Sequence, residues 1–348
     1  MEDGDRNLLA LMQRAVPLVR EPFAELAARL GCDEAAVRQR IDRLREGRVI
    51  REISAIFDAT ALGYEQALVA ARVPTDRLDQ AGRLVATHPG VSHCYGRDGE
   101  VNLWFTLAVS PRSSLGLSGT AGLLAELTGA AESMLLPTLR RYKLRVRFGV
   151  EGDQTPGEDG AGGDRAVDVP ARLPAPDLTA EQLRAVGALQ VDLPCRGDPF
   201  ARVAADYALE PDMLLVHAAD FLAAGWMRRY AAVLHHRAAG AKANVLVAWA
   251  VDRAAADVAG RRAAQLPAVS HCYLRPTGPD WPYSLYTMIH GRSREDCEMT
   301  VEQIAATAAL DRRAVLWTAA EYKKRRIRLF APDEAQWEAA HPPGRRPD

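Results

Sequence analysis

PGVSHCYGR, residues 89–97, recurs in the same chain as PAVSHCYLR, residues 267–275. Two more pairs of segments match in the same order. They are VIREISAIFDATALGY (49–64) with WMRRYAAVLHHRAAGA (226–241), and RRYKLRVRF (140–148) with EYKKRRIRLF (321–330). Because the separation is nearly constant, the chain is a tandem repeat, and each half must contain the same kind of unit.

Each half shows the same order of predicted elements. The first half opens with three segments of helical periodicity, with stops at Gly31 and Gly47. The β-branched run VIREISAIFD follows, and this order is typical of a winged helix-turn-helix. After Gly63 the pattern is β-α-β-β-α-β, with helices around 76–88 and 114–130, which predicts a ferredoxin-like unit. The last strands are predicted in RRYKLRVRF and YKKRRIRLF.

The segment between the two copies, 149–177, is rich in Gly, Pro, Asp and Ala and has almost no large apolar residues. It cannot build a core, so we expect a flexible or extended linker. The predicted units are a winged helix-turn-helix (1–62), a ferredoxin-like domain (63–148), the linker, a second helix-turn-helix-like domain (178–239), a second ferredoxin-like domain (240–330) and a polar tail (331–348). The predicted class is α+β, with the two copies paired as an intrachain pseudo-dimer.

Composition limits the classes of protein. The 348 residues are 48% hydrophobic and 26% charged, as in ordinary globular proteins. No apolar run approaches the ~20 residues of a membrane span, and the N-terminus is acidic, so we expect a cytoplasmic protein. The five scattered cysteines predict reduced thiols. With a net charge of −1, any electropositive site must be local.

A winged helix-turn-helix followed by a ferredoxin-like unit resembles the Lrp/AsnC family of amino-acid-responsive regulators. The recognition helices of such a regulator need Arg or Lys for phosphates and bases. The first, DEAAVRQRIDRLREG (33–47), carries four arginines, whereas the second, EPDMLLVHAADFLAAG (210–225), carries neither Arg nor Lys and is acidic. A symmetric reader of DNA half-sites cannot be built from this pair, so DNA is not an expected partner.

Three further segments narrow the resemblance. LREGRVIREISAIFD (44–58), VSHCYxR in both halves and WPYSLYTMIHG (281–291) are similar to the siroheme decarboxylases, two-part relatives of Lrp/AsnC. The resemblance implies removal of CO2 from the C12 and C18 acetates of siroheme, giving 12,18-didecarboxysiroheme in haem d1 or alternative haem biosynthesis. It implies no cofactor beyond the iron of the substrate. Family members are often two separate chains, and fusion of both explains the repeat.

The candidate catalytic residues are the duplicated histidines and tyrosines, His93, Tyr95, His271 and Tyr273. Decarboxylation needs a proton for the carbon that loses CO2, and histidine is a suitable donor near neutral pH. Strand alternation places His, Tyr and Arg of HxYxR on one face and Cys94 and Cys272 on the other, where we expect core thiols. His93 or His271 as a ligand of the siroheme iron is an open alternative.

The candidate substrate-binding residues are cations and aromatic groups, because siroheme carries carboxylates around a flat macrocycle. They are Arg51, Arg97, Arg228, Arg229, Arg275, His290, Trp281 and Tyr283. His290 has no histidine counterpart in the first half, where the alignment places Val109. We therefore expect one fully equipped site to which the two halves contribute unequally.

Two other functions are open at this point. A tetrapyrrole-responsive regulator of the Lrp/AsnC type would bind DNA, and a haem-binding partner protein would bind siroheme without turnover. The expected partners of the enzyme are siroheme and the other half of the same chain; no membrane is expected, and further association into a homodimer is left open.

Overall fold

A computed structural model of the protein describes residues 3–144, 166–170, 173–235 and 243–344. Helices α1 to α11 are Asp3–Arg14, Pro22–Leu30, Glu34–Glu46, Leu78–Thr87, Gly116–Thr128, Ala180–Leu189, Pro199–Asp206, Pro211–Ala223, Ala256–Gln265, Arg294–Ala308 and Asp333–Ala340. Strands β1 to β12 are Ile50–Phe57, Glu65–Arg72, Val91–Arg97, Leu103–Val109, Glu132–Pro137, Arg140–Leu144, Val167–Asp168, Met227–Leu234, Ala243–Trp249, Val269–Leu274, Leu285–Gly291 and Arg313–Lys324.

The two helix-turn-helix units, α1–α3 with β1 and α6–α8 with β8, share one core. Phe23 and Ile41 of the first unit and Phe200 and Phe221 of the second are all fully buried in it. The two wings pair with each other, since β1 and β8 form an antiparallel two-stranded sheet. We call this sheet the wing ribbon.

The two ferredoxin-like units are joined by exchange of their last strands. The first unit pairs β2 with β4 and β5 and β3 with β4, but its next strand, β6, pairs with β10 of the second unit. In return, β12 pairs with β9 of its own unit and then with β3 of the first unit. The strand order is β5-β2-β4-β3-β12-β9-β11-β10-β6-β7. The predicted class and the intrachain pairing are confirmed.

This sheet is curled, because the short connection between β5 and β6 brings the two edges of the sheet together. β5 stands at one end of the strand order and β6 near the other, yet only Thr138 and Leu139 separate them. Leu139 N–H also donates to Leu274 O at 2.8 Å. Helices α4, α5, α9 and α10 pack against the strands from outside, while the inner face carries a core that includes Trp104, Tyr286 and Leu316.

The last strand of the second half lies earlier than the sequence predicts. β12 is Arg313–Lys324, and residues 325–330 form no strand. Side chains bind the backbone of the last two of these residues, because Leu329 N–H donates to Gln190 Oε1 at 2.7 Å and Phe330 N–H to Tyr64 Oη at 2.6 Å. β5 was not predicted from the sequence. Residues 145–148 of the first predicted last strand, with Arg145 and Arg147, lie outside the described residues.

The predicted linker and tail both include described elements. Val167 and Asp168 extend the sheet beside β6, although most of the linker lies outside the described residues. The tail contains α11, whose Trp337 is 7% exposed in the core of the first ferredoxin-like unit and donates its indole N–H to Thr87 Oγ1 at 3.0 Å. Among the described residues, no helix has the length and apolar character needed to cross a membrane.

Candidate active site

The two His-Tyr-Arg triplets lie on the inner face of the curled sheet, as strand alternation predicts. The rings of His93 and Tyr95 are stacked with centroids 6.2 Å apart, and the Arg97 guanidinium lies 5.2 Å from the Tyr95 ring. The second triplet repeats this, with 6.0 Å between His271 and Tyr273 and 5.1 Å from Arg275 to Tyr273. Cys94 and Cys272 are fully buried in the cores on the other face, so that prediction is confirmed.

The arginines of the two triplets bind the opposite half of the chain. Arg97 is 4% exposed and donates to Leu316 O at 3.0 Å and Thr318 Oγ1 at 3.1 Å, both on β12. Arg275 donates to Leu136 O, on β5, at 2.6 Å. Burial lowers the pKa of the Arg97 guanidinium to about 10, against the opposing effect of Tyr95, so it remains charged at neutral pH. Their assignment to substrate carboxylates stays a prediction.

Three histidines from the two halves come together on the inner face. Burial lowers the pKa of His271 to about 4, and the nearby His290, His93 and Arg275 act in the same direction. Burial also lowers the pKa of His290, with a further contribution from the charge of Lys324. All three residues are half-buried, and we call the part of the inner face that they share the recess.

A serine beside each duplicated histidine orients its ring. Ser92 Oγ lies 3.0 Å from His93 Nδ1, and Ser270 Oγ lies 2.7 Å from His271 Nδ1. These contacts fix the two imidazole rings at Nδ1, so the serines of VSHCY support the site that the histidines form. In the part of the chain that the structure describes, the three histidines are not grouped so as to hold a metal ion together.

The exchanged strands make the two triplets unequal. Lys324 of β12 pairs with His93, and Glu321 pairs with Tyr95. At the corresponding positions of β6, Leu144 pairs with His271 and Arg141 with Tyr273. Burial and the adjacent Glu321 raise the pKa of the Tyr95 phenol to about 12.

Sequence reasoning did not single out these four strand positions. In the sequence Lys324 was only one position of the predicted last strand YKKRRIRLF, and its partner became identifiable once the strand exchange was known.

The register also corrects one alignment. His290 pairs with Asn244, and the first-half residue that pairs with the equivalent Gln66 is Ala108, not Val109. The alignment was one residue out because the segment between the third and fourth strands is longer in the second half, where Gly278 and Trp281 form an additional turn. Ala108 has no group that could replace the imidazole, so the conclusion that His290 is present in one half only is unchanged.

Arg51 of the wing ribbon is connected to the recess through the segment that follows β12. Its guanidinium contacts Glu52 at 2.9 Å, and Glu52 in turn accepts a hydrogen bond from Arg326 at 3.3 Å. Arg325 N–H donates to Ser92 O at 2.9 Å, next to His93. Arg51 therefore belongs to a group of cations beside the first histidine.

Arg228 and Arg229 lie toward the other end of the wing ribbon. Arg228 binds Asp58 at 2.8 Å. Burial opposes ionisation of Asp58, but the hydrogen bond and charge of Arg228, with two backbone N–H groups, hold its pKa below the usual range. Arg229 is half-buried opposite Ile56. Two histidines follow β8: His235 donates its backbone N–H to Val49 O at 2.8 Å, and His236 lies outside the described residues.

Trp281 and Tyr283 belong to an aromatic group inside the curled sheet. Trp281 is 8% exposed, donates its indole N–H to Tyr286 Oη at 2.7 Å and lies 5.6 Å from Trp104 of the first half. Tyr283 packs edge-on against Trp281 at 4.7 Å and is half-buried. Trp281 thus packs between the two halves, and contact of either ring with a substrate stays a prediction.

Known protein families match both kinds of domain in this chain. Residues 5–51 match the siroheme decarboxylase NirDL-like HTH domain, and residues 61–143 and 238–323 match the AsnC-like ligand binding domain. A siroheme decarboxylase of Hydrogenobacter thermophilus is 35% identical over 95% of this chain and 96% of its own length. The chain belongs to the siroheme decarboxylase family.

Other members of the siroheme decarboxylase family show both forms of organisation. The crystal structure of the siroheme decarboxylase NirDL is 31% identical, with a TM-score of 0.78 over 97% of this chain and 98% of that one. NirDL has also been solved with an iron-uroporphyrin III analogue. The siroheme decarboxylase alpha subunit of Desulfovibrio desulfuricans is 37% identical over 44% of this chain and 87% of its own length. The repeat therefore corresponds to subunits that are separate chains in some family members.

Proposed function

We propose that this protein is a siroheme decarboxylase, which removes CO2 from the C12 and C18 acetates of siroheme to give 12,18-didecarboxysiroheme. Membership of the family along nearly the whole chain supports the proposal. The observation that carries it is the recess in which His93, His271 and His290, contributed by both halves, come together. We place the reaction in the cytoplasm, in haem d1 or alternative haem biosynthesis, with no cofactor beyond the iron of the substrate.

The reaction requires one proton for each acetate. The bond between the acetate methylene and its carboxylate carbon breaks, CO2 leaves, and the electron pair passes into the ring system. A proton then joins the former methylene carbon, which becomes a methyl group. In the free protein His271 is neutral at neutral pH. Carboxylates of a bound substrate would raise the pKa values of the histidines and favour the imidazolium form, which can donate that proton.

Either duplicated histidine could instead hold the iron, since neutral imidazole is a good iron ligand. The low pKa of His271 suits this role in the free protein. Loss of an iron ligand should weaken substrate binding, whereas loss of a proton donor should chiefly slow turnover. Variants of the two histidines therefore distinguish the two roles.

Cations around the recess suit a substrate rich in carboxylates. We propose that Arg51 binds carboxylates at the His93 end and that Arg228 and Arg229 do so toward the other end of the wing ribbon. Arg228 is already paired with Asp58, so a substrate carboxylate would have to share its guanidinium. Arg51 shares Glu52 with Arg326.

We also propose that the helix-turn-helix units do not read DNA. Arg38 of α3 donates to Cys195 O at 2.9 Å, and Arg45 donates to Leu193 O at 2.7 Å, both in the second unit. These arginines bind the second unit, so their side chains are not directed at DNA bases. α8 has neither Arg nor Lys, and both wings are used in the wing ribbon.

The test compares the two activities in one preparation. CO2 release on anaerobic incubation with siroheme, without a sequence-specific and salt-dependent gel shift, is expected for the enzyme. A tight sequence-specific shift with no CO2 would show a tetrapyrrole-responsive regulator instead. Binding of siroheme with neither CO2 nor a gel shift would show a binding protein.

A further inference from the structure

The recess is formed by two copies of one motif, which raises the question of how an unsymmetric macrocycle is oriented in it. His93 with Tyr95 and His271 with Tyr273 occupy matching positions on matching strands. With identical neighbours, the two triplets would accept siroheme equally well in two orientations. Each orientation would present a different acetate to a given histidine. Groups that differ between the two sides must therefore select one orientation.

The strand residues that pair with the two duplicated histidines differ in charge. Lys324 is exposed and pairs directly with His93, so its side chain lies on the same face as the imidazole. The matching residue beside His271 is the half-buried Leu144. The charge of Lys324 also acts on His290 of the second half, so Lys324 lies near histidines of both halves.

We infer that Lys324 binds a substrate carboxylate beside His93 and, with Leu144 beside His271, sets the orientation in which siroheme is held. The inference rests on the proposed function. An exposed ammonium binds a carboxylate without full desolvation, whereas a carboxylate beside Leu144 loses water without gaining a partner. Lys324 is thus a positioning residue, and it determines which acetate is decarboxylated first.

The strand residues beside the two tyrosines also differ in charge, but here the cation lies in the second triplet. Glu321 lies beside Tyr95, and Arg141 lies beside Tyr273. A carboxylate held by Lys324 must therefore lie on the histidine side of Tyr95, away from Glu321, because like charges repel. On the other side, Arg141 offers a cation at the level of the tyrosine. A carboxylate would therefore bind level with the histidine in the first triplet and level with the tyrosine in the second.

The experiment follows the singly decarboxylated intermediate by chromatography and mass spectrometry early in an anaerobic reaction. Wild-type protein is expected to form mainly one of the two isomers. Lys324→Leu should reduce this preference and weaken binding of iron-uroporphyrin III roughly three- to fivefold, as for a partly exposed charge pair. The double variant Lys324→Leu/Leu144→Lys should shift the preference toward the other isomer.

Two control variants test whether the effect depends on the charge at position 324. Lys324→Arg retains the charge and should retain the isomer preference, and Arg184→Leu removes a cation from the exposed side of α6 and should change neither measurement. An unchanged isomer ratio in Lys324→Leu and in the double variant would overturn the inference, even if binding were weaker. Absence of decarboxylation by wild-type protein would instead contradict the proposed function.

Discussion

Arg97 donates a hydrogen bond to the carbonyl oxygen of Leu316, 3.0 Å away, although 219 positions separate them. Arg275 makes the matching contact with Leu136 at 2.6 Å. Leu136 and Leu316 occupy equivalent strand positions, since they pair with Leu68 and Leu246. Each half thus binds the other through the arginine of its own His-Tyr-Arg triplet, and the residues that line the recess also hold the two halves together.

Replacing Arg97 with Met should destabilise the protein by about 2–4 kcal/mol, because the buried Leu316 O and the part-buried Thr318 Oγ1 lose a charged donor. Urea unfolding without substrate measures this effect. Arg184→Met, at an exposed position on α6, is the control and should change stability by less than about 0.5 kcal/mol. If Arg97→Met unfolds like wild-type protein but binds iron-uroporphyrin III more weakly, Arg97 acts on the substrate and not on the pairing of the halves.

Replacing His93 or His271 with Ala should lower kcat by about 10²- to 10⁴-fold while changing substrate affinity little, as expected for loss of a proton donor. Single-turnover decarboxylation and a separate absorbance titration with iron-uroporphyrin III give the two quantities. A variant that loses affinity as much as turnover, with a change in the absorption of the bound iron, identifies that histidine as an iron ligand.

Replacing Arg51 with Ala should weaken binding of iron-uroporphyrin III by roughly three- to tenfold with a small effect on kcat, since a cation at the edge of the recess acts on binding. Arg228→Ala should weaken binding less, because Arg228 lies at the end of the wing ribbon that is farther from His93. Titration of both variants against wild-type protein checks the order. Unchanged affinity in Arg51→Ala would remove this arginine from the carboxylate site.

Stability should fall as the pH is lowered from about 6.5 to about 4. The pKa of His271 is about 4 in the folded protein and near 6.5 for an ordinary histidine, so within this range the unfolded chain binds the proton more readily. The loss from His271 is on the order of 1–3 kcal/mol. Buried His88, whose pKa is also about 4, contributes in the same sense.

Urea unfolding of His271→Gln and His88→Gln at several pH values separates the two contributions. Each substitution should flatten part of the pH dependence, and saturating iron-uroporphyrin III should flatten only the part due to His271, since of these two rings only His271 belongs to the proposed substrate site. A His271→Gln variant with the full wild-type pH dependence would show that this ring is protonated equally in both states.

The features that sequence predicts well are local or repeated. Strand alternation is enough to place His93, Tyr95 and Arg97 on one face, and in the structure the imidazole and the guanidinium lie 6.2 Å and 5.2 Å from the centre of the Tyr95 ring. The order of elements in each half follows from periodicity and from Gly stops, and the duplicated VSHCY segment shows that the halves match. The same alternation places Cys94 in the core.

The features that sequence did not predict depend on pairing between distant strands. Lys324 lies beside His93 because β12 leaves its own unit and pairs with β3, and no local pattern encodes that choice. The partner of Arg97 has the same origin. Trp337 stood in a segment read as a polar tail, since a short helix with a single large apolar side chain has too weak a periodicity to be recognised.

Mass spectrometry of siroheme after anaerobic incubation with the purified protein tests directly whether the protein is a siroheme decarboxylase. We expect two successive losses of CO2, through a singly decarboxylated intermediate to 12,18-didecarboxysiroheme. Siroheme recovered with its mass unchanged, after binding to the protein has been verified by absorbance, would contradict it.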